Sequence, residues 1–211
     1  QADALRLLTA FLARVERGIV RRGRRRAWRS AGPRAADREP DRPRRAGPPG
    51  TSLVASRDVV PRRVRATPAR AFEAFTAEIG AWWTPNALFA FTPRAPGVLS
   101  FEDEGQGARR LIETRAGGKV FEIGRITVWE PGARLVLGWR QATFTPDMAT
   151  QVEVTFEAVC EDETRVTVIH AGWDSVPQAH VARHGFPLTV FQARHGDWWR
   201  VLLERLAEHV G

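Results

Sequence analysis

Between residues 97 and 173 the chain passes six times from a short run of β-branched and aromatic residues into a turn. The runs are GVLSFE (97–102), RRLIETR (109–115), KVFEIGRITVWE (119–130), RLVLGWR (134–140), TQVEVTFEAV (150–159) and TRVTVIHAGW (164–173). The segments EDEGQG, RAGG, EPGA and CEDE separate them. A parallel crossover needs about a dozen residues or more, so connections this short leave consecutive strands only antiparallel pairing. The region therefore reads as an antiparallel meander.

Within each strand, alternation decides which side chains face inward. Leu135, Leu137 and Trp139 share one face, as do Val152, Val154 and Phe156, and Val166, Val168 and His170. These apolar sets predict a concave side, with Arg165, Thr167 and Ile169 on the other face. VASRDVV and RRVRAT predict a further strand upstream. Thr67 is a good N-cap and Pro68 fits the first helical position. ARAFEAFTAEIGAWW then continues as helix up to the break at Thr84-Pro85-Asn86. VPQAHVARHG reads as a short helix. RHGDWWRVLLERLAEHV, about 17 residues and near 25 Å long at 1.5 Å per residue, reads as an amphipathic helix. Its apolar face is Trp199, Leu202, Leu203, Leu206 and Val210, widened by Trp198 and Val201.

Strand, helix, six strands and a long terminal helix make an α+β arrangement. TPARAFEAFT…IGAWWTPN, GKVFEIGRITVWEPGARLVLGWR, TQVEVTFEAVCEDETRVTVIHAGW and HGDWWRVLLERLAEH carry a resemblance to the START-like (SRPBCC) superfamily. They more closely resemble the family named for homologues of the activator of heat-shock protein 90 ATPase. The resemblance spans about residues 54–210. It implies a helix-grip fold: a curved antiparallel sheet of six to seven strands around a long C-terminal helix, with a cavity between them. The fold serves lipid carriers, hormone receptors, cyclases and co-chaperones alike, so it implies no single activity.

Charge divides the chain in two. Residues 1–50 hold 14 Arg against 5 acidic residues, a net +9, whereas residues 51–211 come to −1. Residues 3–20 have helical periodicity, and the Arg/Pro/Gly-rich residues 21–50 lack the apolar content to bury a core. We expect a basic leader over 1–50, helical and then disordered, and a START-like domain over 51–211. Nucleic acid is then a partner only through the leader, where arginines meet phosphates without sequence preference. No apolar run approaches the roughly 18 residues of a membrane span. The lone Cys160 reads as a buried strand-end thiol and fits a reducing, cytoplasmic setting.

The stretch AEIGAWWTPN (77–86) carries the main functional signal. Adjacent tryptophans point about 100° apart on a helix, so Trp82 and Trp83 cannot fill one core site. One is expected to close the first helix onto the sheet, and the other to line a cavity mouth near Phe89 and Phe91. The expected ligand-binding set is Trp82, Trp83, Phe89, Phe101, Glu122, Trp139, His170, Trp198 and Trp199. Large aromatics with few polar groups suit a small apolar ligand. Glu122 is preferred to Glu113 as an inward acid because it shares a face with Val120. His180 and His184, spaced i, i+4 with Asp174 or His195 nearby, would form a metal face only on a helix, and no HExxH motif is present. No nucleophile elbow, phosphate loop or dinucleotide fingerprint occurs. No metal, cofactor or catalytic residue is therefore assigned. Two other readings stand beside ligand binding: a chaperone-associated protein-interaction module, and a cyclase-like enzyme using His170 or Glu122 as base.

Overall fold

The structure, a computed structural model, describes residues 56–93 and 96–211. The basic leader expected over 1–50 lies outside the described residues. Seven strands run β1 (Arg57–Val64), β2 (Val98–Gly105), β3 (Ala108–Thr114), β4 (Val120–Glu130), β5 (Arg134–Trp139), β6 (Thr150–Cys160) and β7 (Glu163–Ala171). They form one antiparallel sheet in the order β1-β7-β6-β5-β4-β3-β2. The meander β2 to β7 is extended by β1, which crosses back to pair with β7. Edge strand β1 tolerates Pro61, because a proline can remove a donor only where no ladder bond is lost.

The chain enters helix α1 (Pro68–Thr76) through Thr67, whose hydroxyl accepts from the Arg70 N–H at 3.3 Å, with Pro68 in the first turn. The expected single helix to Trp83 is instead split, and α2 is the short turn Ile79–Trp82. The Thr76 hydroxyl donates back to the Phe72 carbonyl at 2.7 Å, which competes with continuation of the helix. Arg70 holds Glu78 by two hydrogen bonds of 2.6 and 3.0 Å. The Trp82 indole then donates to the Ala74 carbonyl at 2.8 Å, satisfying one of the acceptors that a helix end leaves open.

Two bulges bend the sheet, between Leu111 and Ile112 against β4 and between Ile126 and Val128 against β5. The first half of β4 pairs with β3 and the second half with β5. At the changeover Gly124 lies so close to β5 that a Cβ there would sit 1.6 Å from the Gly138 carbonyl oxygen. Only a glycine permits that approach.

The long helix α3 (Leu188–Val210) lies against the sheet, with contacts along β1. It has 23 residues, so it spans about 34 Å, roughly one and a half turns more than the sequence predicts. The stripe Phe191, His195, Trp199 recurs every four residues, and all three are buried. His195 is polar, so the apolar stripe looked as if it began at Trp198. The expected helix over 176–185 is also absent: the segment makes only a 3-10 turn at Val181–Arg183, ended by His184 at φ 51°. The buried Arg183 guanidinium ties the segment together, donating to the carbonyls of Trp173 (3.3 Å), Val176 (3.0 Å) and Phe186 (2.9 Å). Cys160 closes β6 with its thiol exposed, not buried, because the β6–β7 turn leaves it at the rim.

The core is the concave face of the sheet under α1 and α3. Leu135, Leu137, Trp139, Val152, Val154, Phe156, Val166, Val168 and His170 are all buried there, as alternation predicts. No helix among the described residues is long and apolar enough to cross a membrane.

Candidate ligand site

The two adjacent tryptophans go to different places. Trp82 turns back on α1, where its ring packs 5.3 Å from Phe75 and its indole N–H caps the helix. Trp83, in extended backbone just past α2, enters the space between sheet and α3. Its ring lies 5.9 Å from Phe91, 5.9 Å from Trp139, 5.4 Å from Trp198 and 5.8 Å from Trp199. Phe89 stacks on Trp198 at 5.0 Å. These rings fill the middle of the grip. The hollow left beside Trp83, Phe89, Phe91, Leu99, Glu113 and Trp198 is about 10 Å³, near the minimum for one water.

His170 lies below this column and is fully enclosed. Its hydrogen bonds fix its tautomer. The Trp199 Nε1–H donates to Nδ1 at 3.3 Å, so the ring proton sits on Nε2 and is donated to the Thr150 hydroxyl at 3.1 Å. Thr150 in turn donates to the Trp139 carbonyl at 2.7 Å. Burial, and then the neighbouring His195, hold His170 well below the ordinary imidazole value. With both nitrogens engaged, it has no lone pair left to act as a base. It borders neither the narrow hollow beside Trp83 nor the wider one at the rim, so it sits apart from both.

The sequence reading missed the partner of His195. Asp58 accepts from His195 Nδ1 at 2.8 Å, and both side chains are buried. The His195 ring lies 4.6 Å from that of His170. Burial lowers the His195 pKa, and the bond to Asp58 opposes the shift. Alternation along β1 carried the signal, since Asp58 shares the inward face of Val60 and Val64.

The carboxylates also differ from expectation. Glu122 lies in an exposed ion cluster, 3.3 Å from Arg125 and 3.6 Å from Arg110, beside Glu102 and Glu104. The bulge that inserts Ile123 pairs Glu122 with Ile112, on the face opposite Leu111 and Glu113. The inward acid is Glu113, only 2% exposed. It accepts from the Thr92 hydroxyl at 2.7 Å and the Gly97 N–H at 3.0 Å. Phe101 is half-buried against Trp129, at 5.8 Å, on the β2–β4 side of the sheet. His180 and His184 do not share a helical face. Instead His180 Nε2 donates to the Thr143 carbonyl at 2.9 Å and His184 Nε2 to the Leu88 carbonyl.

A second, wider hollow opens at the rim. About 410 Å³ lies between the loop after α2, the loop after β5 and the Val181–Arg183 turn. Leu88, Phe91, Pro93, Pro96, Val181 and Ala182 make its lining mostly apolar. Thr92, Gln141 and His184 supply polar groups. Pro85, Asn86, Ala90, Phe91 and Pro96 border both this hollow and the narrow one beside Trp83, so the two adjoin. Loops and a 3-10 turn build the site, and such segments have no periodicity to betray them in the sequence.

Residues 65–211 match the model of the family described as Activator of Hsp90 ATPase homolog 1-like protein. No curated protein matches the chain. Similar solved structures include protein MLL2253 from Mesorhizobium loti, 15% identical over 72% of this chain and 95% of that one, with a TM-score of 0.48. They also include the Aha1 dimer from Colwellia psychrerythraea, 19% identical over 74% and 96%, with a TM-score of 0.46. An anthrahydroquino-gamma-pyrone synthase is 27% identical over 72% and 95%, with a TM-score of 0.45.

Proposed function

Because the chain belongs to the family of Activator of Hsp90 ATPase homolog 1-like proteins, we propose that it uses its helix-grip fold to bind a small, largely apolar molecule. The binding place is the rim hollow, with Trp83, Phe89 and Trp198 behind it, and not the filled middle of the grip. The observation that carries this reading is the hollow itself. Its volume of about 410 Å³ falls in the range of small-molecule sites, and its wall is apolar with a few polar groups.

A protein partner would be served by a continuous exposed apolar face. Among the described residues, the exposed large apolar side chains are single valines spread over β1, β2, β4, β6, the Val181 turn and α3. That scatter favours the small molecule.

The test is titration of the full chain with the neutral fluorescent probe N-phenyl-1-naphthylamine, beside native mass spectrometry of gently purified protein. We expect saturable uptake at one site. Ala90 borders both hollows, so Ala90→Phe should fill their junction and weaken uptake about tenfold or more. No uptake and no adduct, or unchanged uptake in Ala90→Phe, would overturn the reading.

A further inference from the structure

Gln141 stands out on the wall of the rim hollow. It is 7% exposed, and no group among the described residues bonds its carboxamide. Its backbone carbonyl is engaged. The Gln141 carbonyl accepts from Phe144 N–H at 3.0 Å, and the next residue, Ala142, donates its N–H to the Phe91 carbonyl at 2.7 Å. The loop is thus pinned to the opposite wall of the hollow, with the Gln141 side chain on its lining. The carboxamide lies on the wall of the hollow, where a ligand atom can bond it in place of water.

The other groups of the hollow narrow the choice. Both oxygens of Glu113 already accept, from Thr92 and from Gly97. Among the described residues, no Lys, Arg, Asp or Glu lines the rim hollow. A charged ligand would therefore find no counter-ion there among the described residues, and desolvating it would be expensive. At the deep end, the Trp198 indole N–H is also buried without a partner among the described residues. The buried Trp198 N–H at one end and the Gln141 carboxamide on the wall of the other hollow thus give two donors, and donors want an acceptor.

We infer that the hollow selects neutral, largely apolar carbonyl compounds, with the Gln141 carboxamide donating to the ligand's carbonyl oxygen. This inference rests on the binding reading above and assigns Gln141 as its specificity-determining residue. Removing one such hydrogen bond should change affinity about five- to tenfold.

The test compares 2-acetylnaphthalene with 2-isopropylnaphthalene, in which a methyl group replaces the oxygen, and with 2-naphthoate. Each competes with N-phenyl-1-naphthylamine on the full chain. In the native protein, 2-naphthoate should bind weakest. The ratio of hydrocarbon to ketone dissociation constants should fall about five- to tenfold in Gln141→Met, which keeps the side-chain volume. Gln141→Glu, which presents acceptors in the same shape, should lower it as well and covers a Met variant that fails to fold. An unchanged ratio in the folded variants overturns the role of Gln141 and leaves the binding site standing. Naphthoate binding as tightly as the ketone overturns the preference for neutral ligands. If none of the three displaces the probe, and the probe itself does not bind, the binding reading fails and this inference falls with it.

Discussion

Replacing Gly124 by alanine would put a methyl carbon 1.6 Å from the Gly138 carbonyl oxygen and 2.4 Å from its carbonyl carbon. Ordinary van der Waals contact begins near 3.4 Å, so the backbones of β4 and β5 would have to part by roughly 2 Å. Neither obstacle is a flexible side chain. The parting would stretch the bond from Arg140 N–H to the Ile123 carbonyl, 3.0 Å long, and the pairing of Ile126 with Leu137 just beyond. Forced overpacking with backbone movement costs about 1–3 kcal/mol, and a clash with two backbone atoms belongs at the upper end, about 3 kcal/mol. For a domain of this size each kcal/mol lowers Tm by about 2–4 °C, so Gly124→Ala should melt about 6–12 °C below the native chain by calorimetry. Gly138 faces it and provides the control. A Cβ there meets nothing nearer than the Arg125 carbonyl oxygen at 4.0 Å, so Gly138→Ala should stay within about 1 kcal/mol of native stability. If Gly124→Ala melts within about 2 °C of native, or the two variants melt alike, the approach of β4 to β5 does not require a glycine at 124.

Two further outcomes follow from the buried polar groups. His170 and His195 both titrate below the ordinary imidazole value in the fold, while an unfolded chain protonates them near pH 6.5. Their contribution is therefore complete above about pH 6.5 and is lost as pH falls below it, because the unfolded state then binds protons that the fold refuses. Tm should drop from pH 7 to pH 5, and less steeply in His170→Gln; a flat native profile would refute the buried neutral pair. Arg183→Met should cost about 2–4 kcal/mol by urea unfolding, since it leaves the Trp173, Val176 and Phe186 carbonyls short of a donor. A cost under about 0.5 kcal/mol would show that water replaces the guanidinium.

Alternation made the inward faces of β5, β6 and β7 legible, because one face of each strand is buried and the strands hold register there. It failed at Glu113 and Glu122, where a bulge shifts the pairing, a feature that leaves no period to read. Alternation along β1 turns Asp58 inward, but its pairing with His195 leaves no period to read. Each breaks an apolar stripe alone and is satisfied only by the other, 137 residues away. Trp83, Trp139, Trp198 and Trp199, expected to line a ligand site, pack on one another. Their number, however, fills the grip and moves the open space out to the rim. Only the three-dimensional packing of volumes reveals that, and residue types alone do not.

The sheet order carries a consequence for how the chain is assembled. The hairpins from β2 to β7 join neighbours in sequence and can pair as they are synthesised. β1 is made before all of them, yet its partner is the last strand, with Arg57 opposite Ala171. It must wait, unpaired, for more than a hundred residues to be added. The 23 residues of α3 arrive later still, and they carry Trp198, Trp199, Leu202, Leu203 and Leu206, which seal the interior. Contacts of such separation close slowly, because loop entropy is lost before they form. During synthesis the concave face of the sheet therefore stays wet to the end, and the final helix both completes the fold and dries it.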